Sequence, residues 1–180
     1  MADPALESLE RAVRRRFGES ARLDNIALPT LGGSNKTIVF DLVEGSARRR
    51  LVSRQETIDF EGNPFLPPHK QFRVMQVVYR HGFPVPEPVF EFEPADAMGR
   101  GFVTAFVTGE TMPKKLLTGR EFDAVRPSLA GQLGEALARL HAIDPKEADF
   151  LEDWPDSIDA IMTQRDRVDT YREAHPALEL

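Results

Sequence analysis

The chain contains no cysteine, which excludes a disulfide framework and any metal site built on thiolates. Its four histidines show neither HxxxH nor HExxH spacing, so no imidazole pair faces a metal from one helical stretch, and no metal-ligating residue is assigned. Long apolar runs are missing as well. No early stretch has the pattern of a secretory leader, and none reaches the roughly 18 residues of a membrane span, so a cytoplasmic protein with no membrane partner is expected. Neither an internal repeat nor a low-complexity segment is present. Acidic residues outnumber basic ones by 29 to 23, and the formal net charge is −6. The two basic runs, Arg14 to Arg16 and Arg48 to Arg50, are short and read as solvated faces of a helix and a turn, so no nucleic-acid partner is expected.

Two glycine motifs are also missing. A Walker loop places Gly directly before its Lys and another Gly five residues earlier, where this chain has Asn35 and Thr30. A dinucleotide fingerprint leads from GxGxxG into a helix, whereas the glycines here lead into a β-branched, aromatic stretch.

What is present is LGGSNKTIVFDLVEGSARRRLVSR, from Leu31 to Arg54. Gly32 and Gly33 free the backbone to turn successive N–H groups into one concavity, which attracts anions, and Ser34 and Asn35 add side-chain donors. Thr37 to Leu42 reads as a strand, Glu44-Gly45-Ser46 as a turn, and Leu51 to Arg54 as a second short strand. A guanidinium closing that strand faces the same side as the loop, where it can fork onto two phosphate oxygens. Two readings stay open from these residues alone: a phosphate-binding hairpin, or an ordinary hairpin with a solvated Arg in a plain α+β domain.

Around this stretch, Leu6, Leu9, Val13 and Phe17 predict a helix after Asp3-Pro4 that stops at Gly18. Ala21 to Leu31 leads into the first strand. Gln55 to Pro68 carries Gly62-Asn63-Pro64 and Pro67-Pro68 and is a loop. A helix from about His69 to His81 has Phe72, Met75, Val78 and Tyr79 on one face, and Val89 to Phe92 and Phe102 to Val107 are strands separated by a turn from Pro94 to Gly101. Composition changes at Thr108-Gly109. A helix bearing Phe122, Val125, Leu129, Leu133, Leu137 and Leu140 takes over, with a capping box at Thr118 and Glu121 and a break or restart at Pro127. A last helix runs from about Ser157 to near Pro176. The expected domains are a helix over 1–24, an α+β nucleotide-binding unit over 25–108 and the start of a helical lobe over 109–180.

TLGGSNKTIVFDL, LVSR, KQFRVM, HGFPVPEPVF, GFVTAFVTGE and LARLHAID, in that order and spacing, resemble the N-terminal part of the aminoglycoside phosphotransferase-like superfamily. These are small-molecule kinases with a protein-kinase-like fold, related to choline kinases. The resemblance runs from Ile26 to Asp144. It implies a kinase-like N-lobe, an antiparallel sheet of about five strands with a packed helix, followed by the first helices of an α-helical C-lobe. It further implies that Gly32, Gly33, Ser34 and Asn35 lie over the ATP phosphates, with Arg54 in place of the strand-three Lys. Thr104 precedes the hinge, Ala105 and Val107 offer adenine their backbone, Val52 covers the base, and Gln71 stands where such kinases place the Glu that pairs with the strand-three cation.

The chemistry of transfer needs more. In this superfamily a carboxylate near the attacking hydroxyl and the Mg²⁺ ligands come from an HGD-like loop and a DFG-like Asp, and neither motif occurs in the sequence. His141, Asp144 and Asp149 lie too close together to fill those roles, and His141 reads as the end of a helix. No catalytic residue is therefore assigned, and Mg²⁺ ligands are expected beyond Leu180, in a longer protein. The expected function is the ATP-binding part of a phosphotransferase acting on a small-molecule hydroxyl. A non-catalytic kinase-like binding or assembly module is the alternative.

Overall fold

The computed structural model describes residues 4–29, 35–57 and 65–151, together with 165, 166, 168–170 and 173. Two compact units are delimited, Met1–Glu147 and Ala148–Leu180. In the second, the described residues between 165 and 173 are helical; the rest of the helix expected from Ser157 lies outside the described residues.

The first unit is an α+β fold built on one antiparallel sheet of five strands in the order β1-β2-β3-β5-β4. The strands are β1 (Arg22–Ala27), β2 (Asn35–Glu44), β3 (Ala47–Glu56), β4 (Pro88–Glu91) and β5 (Gly101–Ala105). Helices α1 (Pro4–Phe17) and α2 (Pro68–Arg80) belong to the same unit, and α3 (Pro113–Thr118) and α4 (Arg126–His141) follow β5. No helix among the described residues is long and apolar enough to cross a membrane.

The β2–β3 hairpin is the longest element pair, and its register follows from alternation. Ile38, Phe40 and Leu42 all point to one face and are buried, joined there by Leu51 of β3 and Val103 of β5. Helix α1 closes that face with Leu9, Ala12 and Val13, as its apolar stripe predicts. Burial of each such aliphatic or aromatic side chain contributes about 1.5–3 kcal/mol. Gly45 takes φ 59° as the first of the two turn residues between Glu44 and Ala47, a conformation that a hairpin this tight favours Gly for.

Helix α2 covers the opposite face. Phe72 packs on Phe102 of β5 with ring centroids 5.8 Å apart, and Phe102 pairs with Arg54, so α2 lies on the Arg54 side. Pro68 suits its first turn, where a missing N–H costs nothing, and Gly82 at φ 69° ends it. Val77 is buried and Tyr79 is exposed, the reverse of what the sequence pattern favoured.

Several expectations are corrected. β3 starts at Ala47, not Leu51, so Arg48 to Arg50 lie in the strand and not in a turn. Asp24 of β1 and Asp41 of β2 neutralise Arg48 and Arg50, while Arg49, which projects to the other side of the strand, pairs with Glu87 at 2.6 Å; together these permit three successive cations in a sheet. Thr118 ends α3 instead of capping a following helix: its hydroxyl donates to the Lys114 carbonyl at 2.8 Å. The helix restarts at Arg126, with Pro127 in its first turn. β5 ends at Ala105, so Phe106 and Val107 leave the sheet.

Candidate nucleotide site

Cross-strand register decides which predicted residues share a face. Thr37 pairs with Arg54 and Arg54 with Phe102; one row further on, Val39 pairs with Val52 and Val52 with Thr104. Paired residues project to the same side of a sheet, so Arg54, Val52 and Thr104 stand in adjacent rows of the α2-facing surface. Asn35, opposite Glu56, opens β2 on the same face, two residues from the Arg54 row and hence about 7 Å along the strand. Gly32, Gly33 and Ser34 lie outside the described residues.

Arg48, Arg50 and Arg54 alternate along β3 onto this face, and their surroundings differ. Arg48 pairs with Asp24 at 2.6 Å, and Arg50 with Asp41 at 2.9 Å while donating to the Asn25 carbonyl at 3.2 Å. The hydrogen bond from Arg48 holds the Asp24 carboxyl below the usual carboxylate range, and that from Arg50 does the same for Asp41. Arg54 is exposed, and its guanidinium has no hydrogen bond or ion pair among the described residues. A cation left without a counter-charge on a surface where its neighbours are neutralised is available to an anion.

The segment after β5 offers backbone groups. The Ala105 N–H donates to the Glu87 carbonyl and the Phe106 N–H to the Arg50 carbonyl, both at 2.9 Å, which fixes the chain as it leaves the sheet. Val107 is 62 % exposed, and its N–H has no partner among the described residues. Thr104 is nearly buried and Val52 half-buried, giving this end of the surface an apolar floor. Phe106, exposed under the Arg50 guanidinium at 5.7 Å, adds a flat apolar surface that the sequence reading had placed inside a strand.

Gln71 sits in the first turn of α2 one residue before Phe72. Its Nε2 donates to the Leu66 carbonyl, so the amide closes the start of the helix. No hydrogen bond between it and Arg54 is present among the described residues. Among the same residues no three His, Asp or Glu side chains converge as a metal set. His141 is the last residue of α4 and is exposed.

What the sequence reading missed is the role of Asp41 and Asp24 in separating Arg54 from the cations beside it. The available signal was the alternation of Arg48, Arg50, Val52 and Arg54 against carboxylates in the two preceding strands.

Residues 31–180 match the model of the phosphotransferase enzyme family, APH, over most of the chain. The chain belongs to this family. No curated protein matches it. The family match begins at the glycine stretch and takes in Arg54, Gln71 and the segment after β5, whereas α1 and β1 precede it. The kinase-like N-lobe architecture expected from the resemblance is the fold observed, and membership assigns the chain to phosphotransferases as a class.

Proposed function

We propose that the chain binds ATP on the α2-facing surface of its sheet and is the nucleotide-binding part of a phosphotransferase that moves the γ-phosphate to a hydroxyl of a small molecule. One observation carries this reading: among the guanidiniums of β3 on that face, Arg54 alone lacks a counter-charge within the described residues, two residues along from the end of the glycine stretch. Gly32, Gly33, Ser34 and Asn35 offer donors to the β- and γ-phosphates, and Arg54 forks onto their oxygens. Adenine lies over Val52, beside Thr104, with the Ala105 carbonyl and the Val107 N–H at its edge. Residues 25–108 form the nucleotide-binding lobe in this reading.

The sequence holds no HGD-like or DFG-like motif, so no base and no Mg²⁺ ligand is assigned in this chain. ATP binding without transfer is the expected behaviour. Calorimetric titration with ATP and Mg²⁺ tests it: wild type gives a binding isotherm, and Arg54→Ala weakens it about tenfold or more, since a hydrogen bond to a charged group is worth about 1.5–3 kcal/mol. Heats equal to dilution in both proteins count against the reading. Phosphate transfer by the purified chain, lost in Asp144→Ala, would overturn the assignment of no catalytic residue. Gln71, an amide already engaged with the Leu66 carbonyl, favours the second reading of a non-catalytic binding module, and an unchanged isotherm in Gln71→Ala would support it.

A further inference from the structure

The connection between β4 and β5 is anchored at both ends. At its start Asp96, 1 % exposed, accepts from Arg16 through Nη1 at 3.0 Å and Nη2 at 2.9 Å, and from the Glu93 N–H at 2.8 Å. Arg15 stands 3.1 Å from the same carboxylate and 2.7 Å from Glu93. Arg16 also donates to the Glu91 carbonyl at 2.8 Å and lies 4.3 Å over the Phe90 ring. Both arginines belong to the last turn of α1. A helix that precedes the family match thus grips the far side of the sheet.

At its other end the connection is fastened to the two residues that follow Arg54. Gln55 Nε2 donates to the Met98 carbonyl, the Glu56 N–H donates to the Arg100 carbonyl at 2.9 Å, and Arg100 Nε meets Glu56 Oε2 at 2.7 Å. Gly101 lies against the same peptide: a Cβ there would stand 2.9 Å from Gln55 Cα and closer still to the Arg54 carbonyl oxygen. Between the two anchors Ala97 takes φ 54°, a left-handed conformation costly for a residue with a Cβ and kept only where its surroundings determine it.

We propose that the Arg15–Arg16 grip on Asp96 is a positioning device for Arg54, transmitted through the 93–101 connection to Gln55 and Glu56. The proposal rests on the nucleotide-binding reading of Arg54 given above. A guanidinium on a strand end that is already held in place loses less freedom when it closes on phosphate, so its affinity is higher at the same charge. Arg15 and Arg16 are positioning residues on this view, acting from the opposite face without touching the ligand.

Asp96→Asn keeps the shape of the side chain and removes its charge. Three readings on folded protein, verified by circular dichroism, decide the matter. Amide hydrogen exchange accelerates at Gln55, Glu56 and Met98 to Gly101 while the paired amides of β1 and β2 keep their protection; acceleration confined to 93–97, or spread evenly over the sheet, overturns the proposal. ATP binds roughly fivefold more weakly to Asp96→Asn, but in an Arg54→Ala background the same change costs less than about twofold, because the two residues act as one unit. A loss equal in both backgrounds, or none, also overturns it. Arg16→Lys, which keeps the charge and loses the fork, falls between wild type and Asp96→Asn, and it carries all three readings should Asp96→Asn fail to fold. A wild type that does not bind ATP sinks the nucleotide reading and the positioning role together, whereas normal binding with additive losses sinks the positioning role alone.

Discussion

β2 and α4 both carry apolar side chains recurring at the spacing of their element, and they meet different fates. In β2 the inward residues Ile38, Phe40 and Leu42 are buried against α1 and the neighbouring strands. In α4 no residue is buried, and Leu133 and Leu137 are 70 % and 52 % exposed. Periodicity identifies which side of an element is apolar. Burial needs a second surface, and among the described residues only β2 has one. The hydrophobic contribution to stability is therefore concentrated in the sheet and the two helices on its faces, α1 and α2.

That contrast breaks first under truncation of core side chains. Leu51→Ala is expected to cost about 2–5 kcal/mol, and Leu137→Ala to stay within about 0.5 kcal/mol. Urea denaturation of both variants measures the difference; equal costs would show that α4 is packed in solution. Gly101→Ala should follow at about 1–3 kcal/mol, because the added methyl meets backbone that cannot yield. Lowered nucleotide affinity accompanying that loss of stability would extend the contrast to function.

A smaller effect has the opposite sign. Ser53 is wholly buried between core residues, and its hydroxyl has no partner among the described residues. Ser53→Ala should stabilise by about 1 kcal/mol or more, read as a higher urea midpoint with unchanged slope.

Acid sharpens the comparison within the first unit. Burial raises the Asp96 pKa, but the hydrogen bonds from Arg16 and the Glu93 N–H, with the charges of Arg16 and Arg15, outweigh it and hold the carboxyl below its ordinary 3.8. A carboxyl depressed in the folded state stabilises above its unfolded pKa, and that contribution is lost as pH falls through the lower folded value. The stability gap between wild type and Asp96→Asn should therefore be constant above that ordinary value and close below it. A gap that persists in strong acid would contradict the ion pair.

Much of the fold was legible because its signals are local. The stripe of α1, the strand pattern of Thr37 to Leu42, the turn at Gly45 and the stops at Gly18 and Gly82 depend on residues adjacent in the chain. Arg48 to Arg50 were misplaced because three consecutive cations resemble a solvated turn; the carboxylates that make them tolerable in β3, Asp24, Asp41 and Glu87, lie on two other strands and just before a third. Thr118 was misread for a similar reason, since its spacing to Glu121 fits a capping box but its hydroxyl turns back to Lys114.

The site divides along the same line. Sequence named Arg54, Val52, Thr104, Ala105 and Val107 through resemblance, but could not say which of the arginines in β3 keeps its charge available. That depends on where Asp24 and Asp41 fall in the register, and on nothing near Arg54 in the chain.

By itself the sequence determined the order of elements, the apolar side of each and the family to which the chain belongs, because backbone preference and side-chain alternation act over a few residues. The tertiary structure decided which charges cancel and which remain, and that α1 reaches across the sheet to Asp96. Those outcomes depend on distances between residues up to about 80 positions apart, set only when the strands pair and the helix docks.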